Sequence, residues 1–262
     1  MITSTQNPKV KLARSLMGTP KERREAQAFV AEGVRLVEEA LAAGWPFQFV
    51  LIGETLTERG QELAQKLAAK GIQVELVSDA ALNSISETET SQGLLAVLEH
   101  SRLSVPRFLH FVLILDSIRD PGNLGTLLRT AAAAGVQAVF LPPETTDAFA
   151  PKVVRAGMGA HFQVPILPLT WEEVQERISG LRIYLAEMEG AIPCWQADFK
   201  IPLALIIGGE AEGASPIARN LATQQVLIPM VRTTESLNAG VAGAVLMFEV
   251  VRQRQNSGGK YE

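Results

Sequence analysis

The stretch LALIIGGEAEGAS, residues 203–215, decides the fold class. Its first five residues are all apolar, and two glycines then break the run. A strand with no polar face belongs inside a parallel sheet that helices cover on both sides. FVLIL, residues 111–115, reads the same way. Working outward, strands alternate with helical periodicity: strand 109–115, helix 124–134, strand 138–141, helix 151–157, strand 164–165, helix 171–179, strands 182–186, 203–207 and 226–228, and a last long helix. This pattern predicts an α/β domain with a parallel sheet. Ligands of such sheets bind beyond the carboxyl ends of the strands. Three loops are expected there, 116–123, 208–215 and 229–238.

A smaller α/β series precedes it: strand 28–31, helix 34–43, strand 47–52, helix 57–70, strand 73–77, helix 79–85 and strand 94–98. Helix 34–43 places Val34, Val37, Ala40 and Leu41 on one face and stops at Gly44, where a C′ glycine belongs. Residues 100–107, with Pro106 and no periodicity, read as a linker. Two domains are therefore expected, 1–100 with a basic N-terminal arm and 107–262.

Composition narrows the function classes. The 262 residues are 47% hydrophobic, enough for two cores, yet no apolar run approaches the ~18 residues that span a bilayer. The start, MITSTQNPKVK, carries no apolar signal segment, so a cytoplasmic protein without a membrane partner is expected. The single Cys194 excludes an internal disulfide, and three dispersed histidines (His100, His110, His161) argue against a metal site. The net charge of −4 conceals a basic arm: from Lys9 to Arg35, seven cations (Lys9, Lys11, Arg14, Lys21, Arg23, Arg24, Arg35) face three anions. Such an arm suits a phosphate-binding surface, and equally a solvated helix face laced with ion pairs.

The loops carry the chemistry. In DSIRDPGNLGTLLRTAAAAG, 116–135, Asp120-Pro121-Gly122 is a turn, Asn123 an N-cap and Gly135 a stop. Gly125 inside the first turn and Arg129 among small apolar neighbours have no such account. An arginine there is ordinary surface or a bidentate phosphate ligand, and the residues alone slightly favour surface. GGEAEG is neither G-x-G-x-x-G nor a phosphate loop, so a dinucleotide oxidoreductase is unsupported. Glu210 and Glu212 are solvated or cap a helix starting near Ser215. In IPMVRTTESLNAGVAGAVLMFE, 228–249, a Pro-Met corner (Pro229, Met230) precedes Ser236, Asn238 and Gly240 at the mouth of an apolar helix. One of the two polar side chains suffices to cap that helix; a second, beside a glycine, points to a ligand.

Together NLGTLLR, GGEAEG and IPM-x₅-SLN resemble the three signature motifs of the SpoU/TrmH branch of the SPOUT methyltransferases, which 2′-O-methylate ribose in RNA. FVAEGVRLVEEAL (29–41) and SQGLLAVLE (91–99) resemble that family's accessory RNA-binding domain, a ribosomal-protein-like α/β unit. The resemblance covers nearly the whole chain. It implies a homodimer using S-adenosylmethionine, with a C-terminal trefoil knot that general rules of chain topology would not anticipate. It implies that Gly208, Ile228, Met230 and Leu237 surround the cofactor. It implies that Asn123, Arg129, Glu210, Ser236 and Asn238 form the active site, completed across the dimer, with Arg129 near the transferred methyl group. One departure stands out: the family commonly has a second serine where this chain has Gly240. The expected substrate is large-subunit (23S) ribosomal RNA. The alternatives are transfer RNA, a resistance-conferring rRNA methylation, or a non-catalytic assembly factor. Phe29, Trp45, Phe47 and Phe49 are candidate base-stacking residues, though a buried core suits most of them better.

Overall fold

The computed structural model describes residues 1–86, 92–101, 103–188, 192–210, 212–231 and 236–255. The chain divides into two compact units. The first combines Met1–Arg102 with Asp147–Phe162, and the second combines Leu103–Thr146 with Gln163–Glu262. The excursion 147–162 lies inside the sequence of the second domain, and nothing in its periodicity signals that it packs elsewhere. Among the described residues no helix is long and apolar enough to cross a membrane.

The first unit opens with α1 (Pro8–Met17) and α2 (Pro20–Ala26). Asn7 caps α1 by accepting from the Lys9 N–H, and Thr19 with Glu22 closes a capping box on α2. Then follow β1 (Ala28–Glu32), α3 (Val34–Ala42), β2 (Phe47–Ile52), α4 (Glu58–Ala69), β3 (Val74–Leu76), α5 (Asp79–Asn83) and β4 (Leu94–Glu99). The sheet order is β1-β4-β2-β3, antiparallel except for β2 with β3. One face packs Val30, Phe49, Leu51 and Val97 against Val10 and Leu16 of α1. The other carries an aromatic cluster in which Phe29 meets Trp45, Phe149 and Phe162. Phe29, Trp45 and Phe49 are thus core residues, unable to stack on a base, and Phe47 is half-buried.

Much of the basic arm also turns inward. Lys9 pairs with Glu75 at 2.7 Å, and Arg14 donates to the Ser84 carbonyl and hydroxyl. Arg23 is buried, ion-paired with Asp147 at 2.8 Å and bonded to the Leu16 and Gly18 carbonyls. Lys21 pairs with Glu25 one turn away. The side chains of Lys11, Arg24 and Arg35 have no such partner among the described residues. The arm is mainly a structural clasp, because its cations found carboxylates and helix-end carbonyls once the chain folded.

The second unit contains β5 (Phe111–Asp116), α6 (Pro121–Ala133) and β6 (Ala138–Leu141). Helix α7 (Pro151–Gly157) follows in sequence but belongs to the first unit. The second unit resumes with β7 (Ile166–Pro168), α8 (Trp171–Arg177), β8 (Arg182–Ala186), β9 (Ile192–Pro193), β10 (Leu203–Gly208), α9 (Pro216–Leu221), β11 (Gln224–Leu227) and α10 (Ala239–Gln255). The sheet runs β7-β6-β5-β10-β8-β11-β9, and each pairing is parallel. Strands β5 and β10 are central, as their two apolar faces require. Val112, Ile114, Ala204 and Ile206 join the core beneath α8 and α9. On the opposite face α10 crosses β10 and α6. That crossing is tight: a Cβ on Gly243 would lie 2.2 Å from the Leu127 Cδ2.

Several elements differ from the sequence reading. Strand β7 begins after Pro165, two residues later than expected. Edge strand β9 is too short to show periodicity. Helix α6 begins at Pro121, so its N-cap is Asp120, whose carboxylate accepts the Asn123 N–H at 2.7 Å. Asn123 is therefore not a cap, and its side chain is available for other work.

Candidate active site

The carboxyl ends of β8, β10 and β11 border one cleft of about 370 Å³ in the second unit. Two glycines make its floor possible. A Cβ on Gly208 would sit 2.5 Å from the Ala214 nitrogen, and one on Gly209 would sit 2.4 Å from the Ser117 carbonyl oxygen. Both obstacles are backbone, so no side-chain motion relieves them. The loop after β10 closes on itself through the Gly209 N–H donating to the Gly213 carbonyl at 3.1 Å. Buried Asp116, at the end of β5, anchors the same loop by accepting the Ser215 N–H at 2.6 Å. The two central strand ends are thereby fixed relative to each other.

At the cleft mouth three side chains form a chain of fixed polarity. Asn123 Nδ2 donates to Glu210 Oε1 at 2.7 Å, and Glu210 Oε2 accepts the Arg119 N–H at 3.4 Å. Asn238 Nδ2 donates to Asn123 Oδ1 at 2.8 Å. Asn238 Oδ1 in turn accepts the Val241 N–H at 3.2 Å, capping α10. A carboxylate only accepts, so it sets which end of Asn123 faces it. That choice sets Asn238, whose oxygen is left facing the positive end of the α10 dipole. The residues from three separate loops therefore act as one oriented unit.

The expected site residues fall into two groups. Gly208, Glu210, Ile228, Met230, Ser236, Leu237 and Asn238 all line the cleft. Asn123 reaches its mouth through Glu210 and Asn238. Arg129 does not line it: it stands exposed on α6, without an ion pair or hydrogen bond among the described residues. Residues 232–235 of the third loop lie outside the described residues. Glu212, read as solvated or as a cap, is exposed, and Ser215 caps α9 by accepting the Ala218 N–H.

The sequence reading overlooked a fourth wall. Ala186, Glu187 and Met188, just past β8, line the cleft, and Glu187 is held by Arg219 of α9 at 3.0 Å. The available signal was an acidic residue at the carboxyl end of an apolar strand, the position at which open α/β sheets bind ligands.

Three comparisons bear on this geometry. A family model described as SpoU rRNA Methylase matches residues 110–248, and an MRM3-like substrate binding domain matches residues 7–96. The 23S rRNA (guanosine(2553)-2′-O)-methyltransferase RlmP of Bacillus subtilis is 34% identical over 95% of this chain and 98% of its own length. The structure of the AdoMet-bound rRNA methyltransferase of Sinorhizobium meliloti superposes with a TM-score of 0.84 at 31% identity, covering 96% of this chain and 97% of the other. AviRb of Streptomyces viridochromogenes, a SpoU methyltransferase solved with AdoMet, gives 0.83 at 27% identity, covering 95% of this chain and 100% of that one.

Proposed function

We infer the function from one premise: the chain belongs to the SpoU rRNA methylase family. It is an RNA 2′-O-ribose methyltransferase that uses S-adenosylmethionine. The observation that carries this reading is the convergence of three loops on one cleft, with Asn123, Glu210 and Asn238 bonded into a single unit at its mouth. The proposed substrate is 23S ribosomal RNA, on which the Bacillus subtilis relative is named to act.

The cleft suits the methyl donor in size and in wall chemistry. Its volume of about 370 Å³ lies in the usual range for small-molecule sites. Ile207, Leu227, Ile228 and Leu246 offer apolar surface for a base, and Glu187 and Glu210 offer carboxylates to a cationic ligand. Gly208, Ile228, Met230 and Leu237 are the proposed cofactor contacts. When bound, S-adenosylmethionine would supply a sulfonium methyl group: the ribose 2′-oxygen would form the new C–O bond as the C–S bond breaks, the sulfur leaving as a neutral thioether and the hydroxyl proton passing to solvent.

The chain's own residues hold and orient. Asn123, Ser236 and Asn238 position the ribose, and alignment of two bound reactants supplies much of the acceleration. Glu210 keeps the Asn123 amide turned the right way. Arg129 serves as an electrostatic partner of the substrate phosphate or of the developing alkoxide. Its exposure on α6 fits a contact to a large substrate better than one to the cofactor.

Two further features of this reading have structural support. A stripe of exposed apolar residues, Val241, Val245 and Phe248, follows one face of α10 and suits a second copy of the chain, so we propose a homodimer. The sheet order places β11 beyond β8, while α10 returns to β10 and α6. That order, with α10 packing back on β10 and α6, supports the trefoil path. A cytoplasmic location accords with a ribosomal substrate.

The test is calorimetric titration with S-adenosylmethionine, followed by mapping of ribose methylation across total RNA with and without the protein. Absence of cofactor binding would favour a non-catalytic assembly factor. Methylation confined to transfer RNA would replace the ribosomal substrate.

A further inference from the structure

The first unit holds a second cavity, of about 290 Å³, bordered by Glu32, Arg35, Leu36, Gln92, Arg155 and Met158. We propose that this cavity takes one nucleotide of the RNA substrate, its phosphate between Arg35 and Arg155 and its base against Leu36 and Met158. The proposal rests on the RNA methyltransferase reading above and assigns a specific contact to its substrate-binding unit.

The wall chemistry argues for it. Glu32, whose side chain is only 7% exposed, accepts from the Ser86 hydroxyl on one oxygen and from Arg155 Nη1 at 3.2 Å on the other. Arg155 is thus fixed by a buried carboxylate while its own side chain remains 30% exposed. A guanidinium carries five N–H groups, and this contact uses one. Arg35 also borders the cavity, exposed and without an ion pair or hydrogen bond among the described residues. Among the lining cations Arg155 is paired with Glu32, whereas Arg35 has only the more distant Glu38 of α3 acting on it.

The remaining walls suit a base. Gln92 Oε1 accepts the Val34 N–H at 3.0 Å, which fixes the amide and leaves its NH₂ end with two donors. Leu36 and Met158 add apolar surface. Arginine forks on a phosphate, an oriented amide and an apolar wall together are the means by which single-stranded RNA is read. Arg155 and Met158 come from the excursion 147–162, so the cavity exists only because that segment packs with the first unit. Lys9, Arg14 and Arg23 are tied to internal partners; Arg35, from the same basic stretch, is not.

The experiment measures binding of a fluorescently labelled transcript of the methylated 23S rRNA segment, by anisotropy at several salt concentrations. Arg35→Gln should weaken binding five- to tenfold and reduce the salt slope by about one, the signature of one lost phosphate contact. Arg155→Lys, which keeps the charge opposite Glu32 but removes the fork, should weaken it at least threefold. Arg24→Gln, an exposed arm cation outside the cavity, should change it less than twofold. Titration with S-adenosylmethionine should be the same for all four proteins. Arg35→Gln binding within twofold of the parent, or Arg24→Gln falling as far as Arg35→Gln, overturns the proposal. Failure of the parent protein to bind S-adenosylmethionine instead sinks the methyltransferase reading, whatever Arg35 does.

Discussion

Asn238 performs two jobs that one pair of substitutions separates. Its oxygen caps α10 through the Val241 N–H, and its NH₂ group holds Asn123, which in turn donates to Glu210. Asn238→Ala removes both. Loss of an Asn cap costs about 1 kcal/mol, which lowers the melting temperature by roughly 2–4 °C for a chain of this size. Asn238→Asp keeps an oxygen on the Val241 N–H and adds a negative charge at a helix N-terminus, so stability should hold. It destroys the second job. The new oxygen would face Asn123 Oδ1 across a gap now spanned at 2.8 Å. Turning Asn123 over only moves the conflict, placing its oxygen against Glu210.

A lost hydrogen bond to a charged network is worth about 1.5–3 kcal/mol, so turnover should fall roughly 10- to 100-fold in the aspartate variant. The assay is single-turnover transfer of a labelled methyl group to rRNA transcript, beside calorimetric cofactor binding and thermal melts of both variants. The aspartate variant should melt like the parent and turn over poorly. Parental turnover in the aspartate variant, at unchanged cofactor affinity, would refute the oriented chain as a functional unit.

Other expectations follow from single contacts. His161 is buried with Nε2 on the Ala148 carbonyl at 2.7 Å, and burial pulls its pKa down from 6.5 to about 4. The folded state thus favours the neutral ring, so stability is complete above pH 6.5 and is lost as pH falls toward 4. This group contributes a loss of about 2 kcal/mol at pH 5 and about 3 kcal/mol at pH 4. Urea unfolding of the parent against His161→Gln should show that difference; parallel curves between pH 7.5 and 4.5 would contradict it. Gly208→Ala sets a Cβ 2.5 Å from a backbone nitrogen, so the loop after β10 must move and calorimetry should record at least tenfold weaker cofactor binding. Arg23→Ala removes the cation from the half-buried carboxylate of Asp147 and the donor from two carbonyls, and chemical denaturation should register a loss of about 1–3 kcal/mol. RNA affinity of the still-folded protein should change little, because Arg23 is a clasp and not a surface cation.

By itself the sequence determined the architecture, because periodicity and burial are local. Two wholly apolar runs, 111–115 and 203–207, have only one comfortable place, the centre of a parallel sheet, and β5 and β10 occupy it. The same logic located the loops 208–215 and 229–238; the family resemblance singled out Gly208, Glu210, Ile228, Met230, Ser236, Leu237 and Asn238, which do share a cleft. Side-chain assignments were weaker wherever the partner is distant in sequence. Asn123 reads as a helix cap until Asp120 is seen holding that position, and its actual partners lie 87 and 115 residues away. Glu187 had no motif to announce it, and the basic arm read equally as a phosphate-binding surface or an ion-paired helix face until Glu75 and Asp147 met two of its cations. Helix α7 and its neighbours carry the usual α/β rhythm, yet Asp147–Phe162 packs with the first unit, around Phe29. Hydrophobic pattern states that a face will be buried; it does not state against what. That pairing is a property of the whole folded chain, since only the closed structure decides which apolar faces and which opposite charges come within a few ångströms of each other.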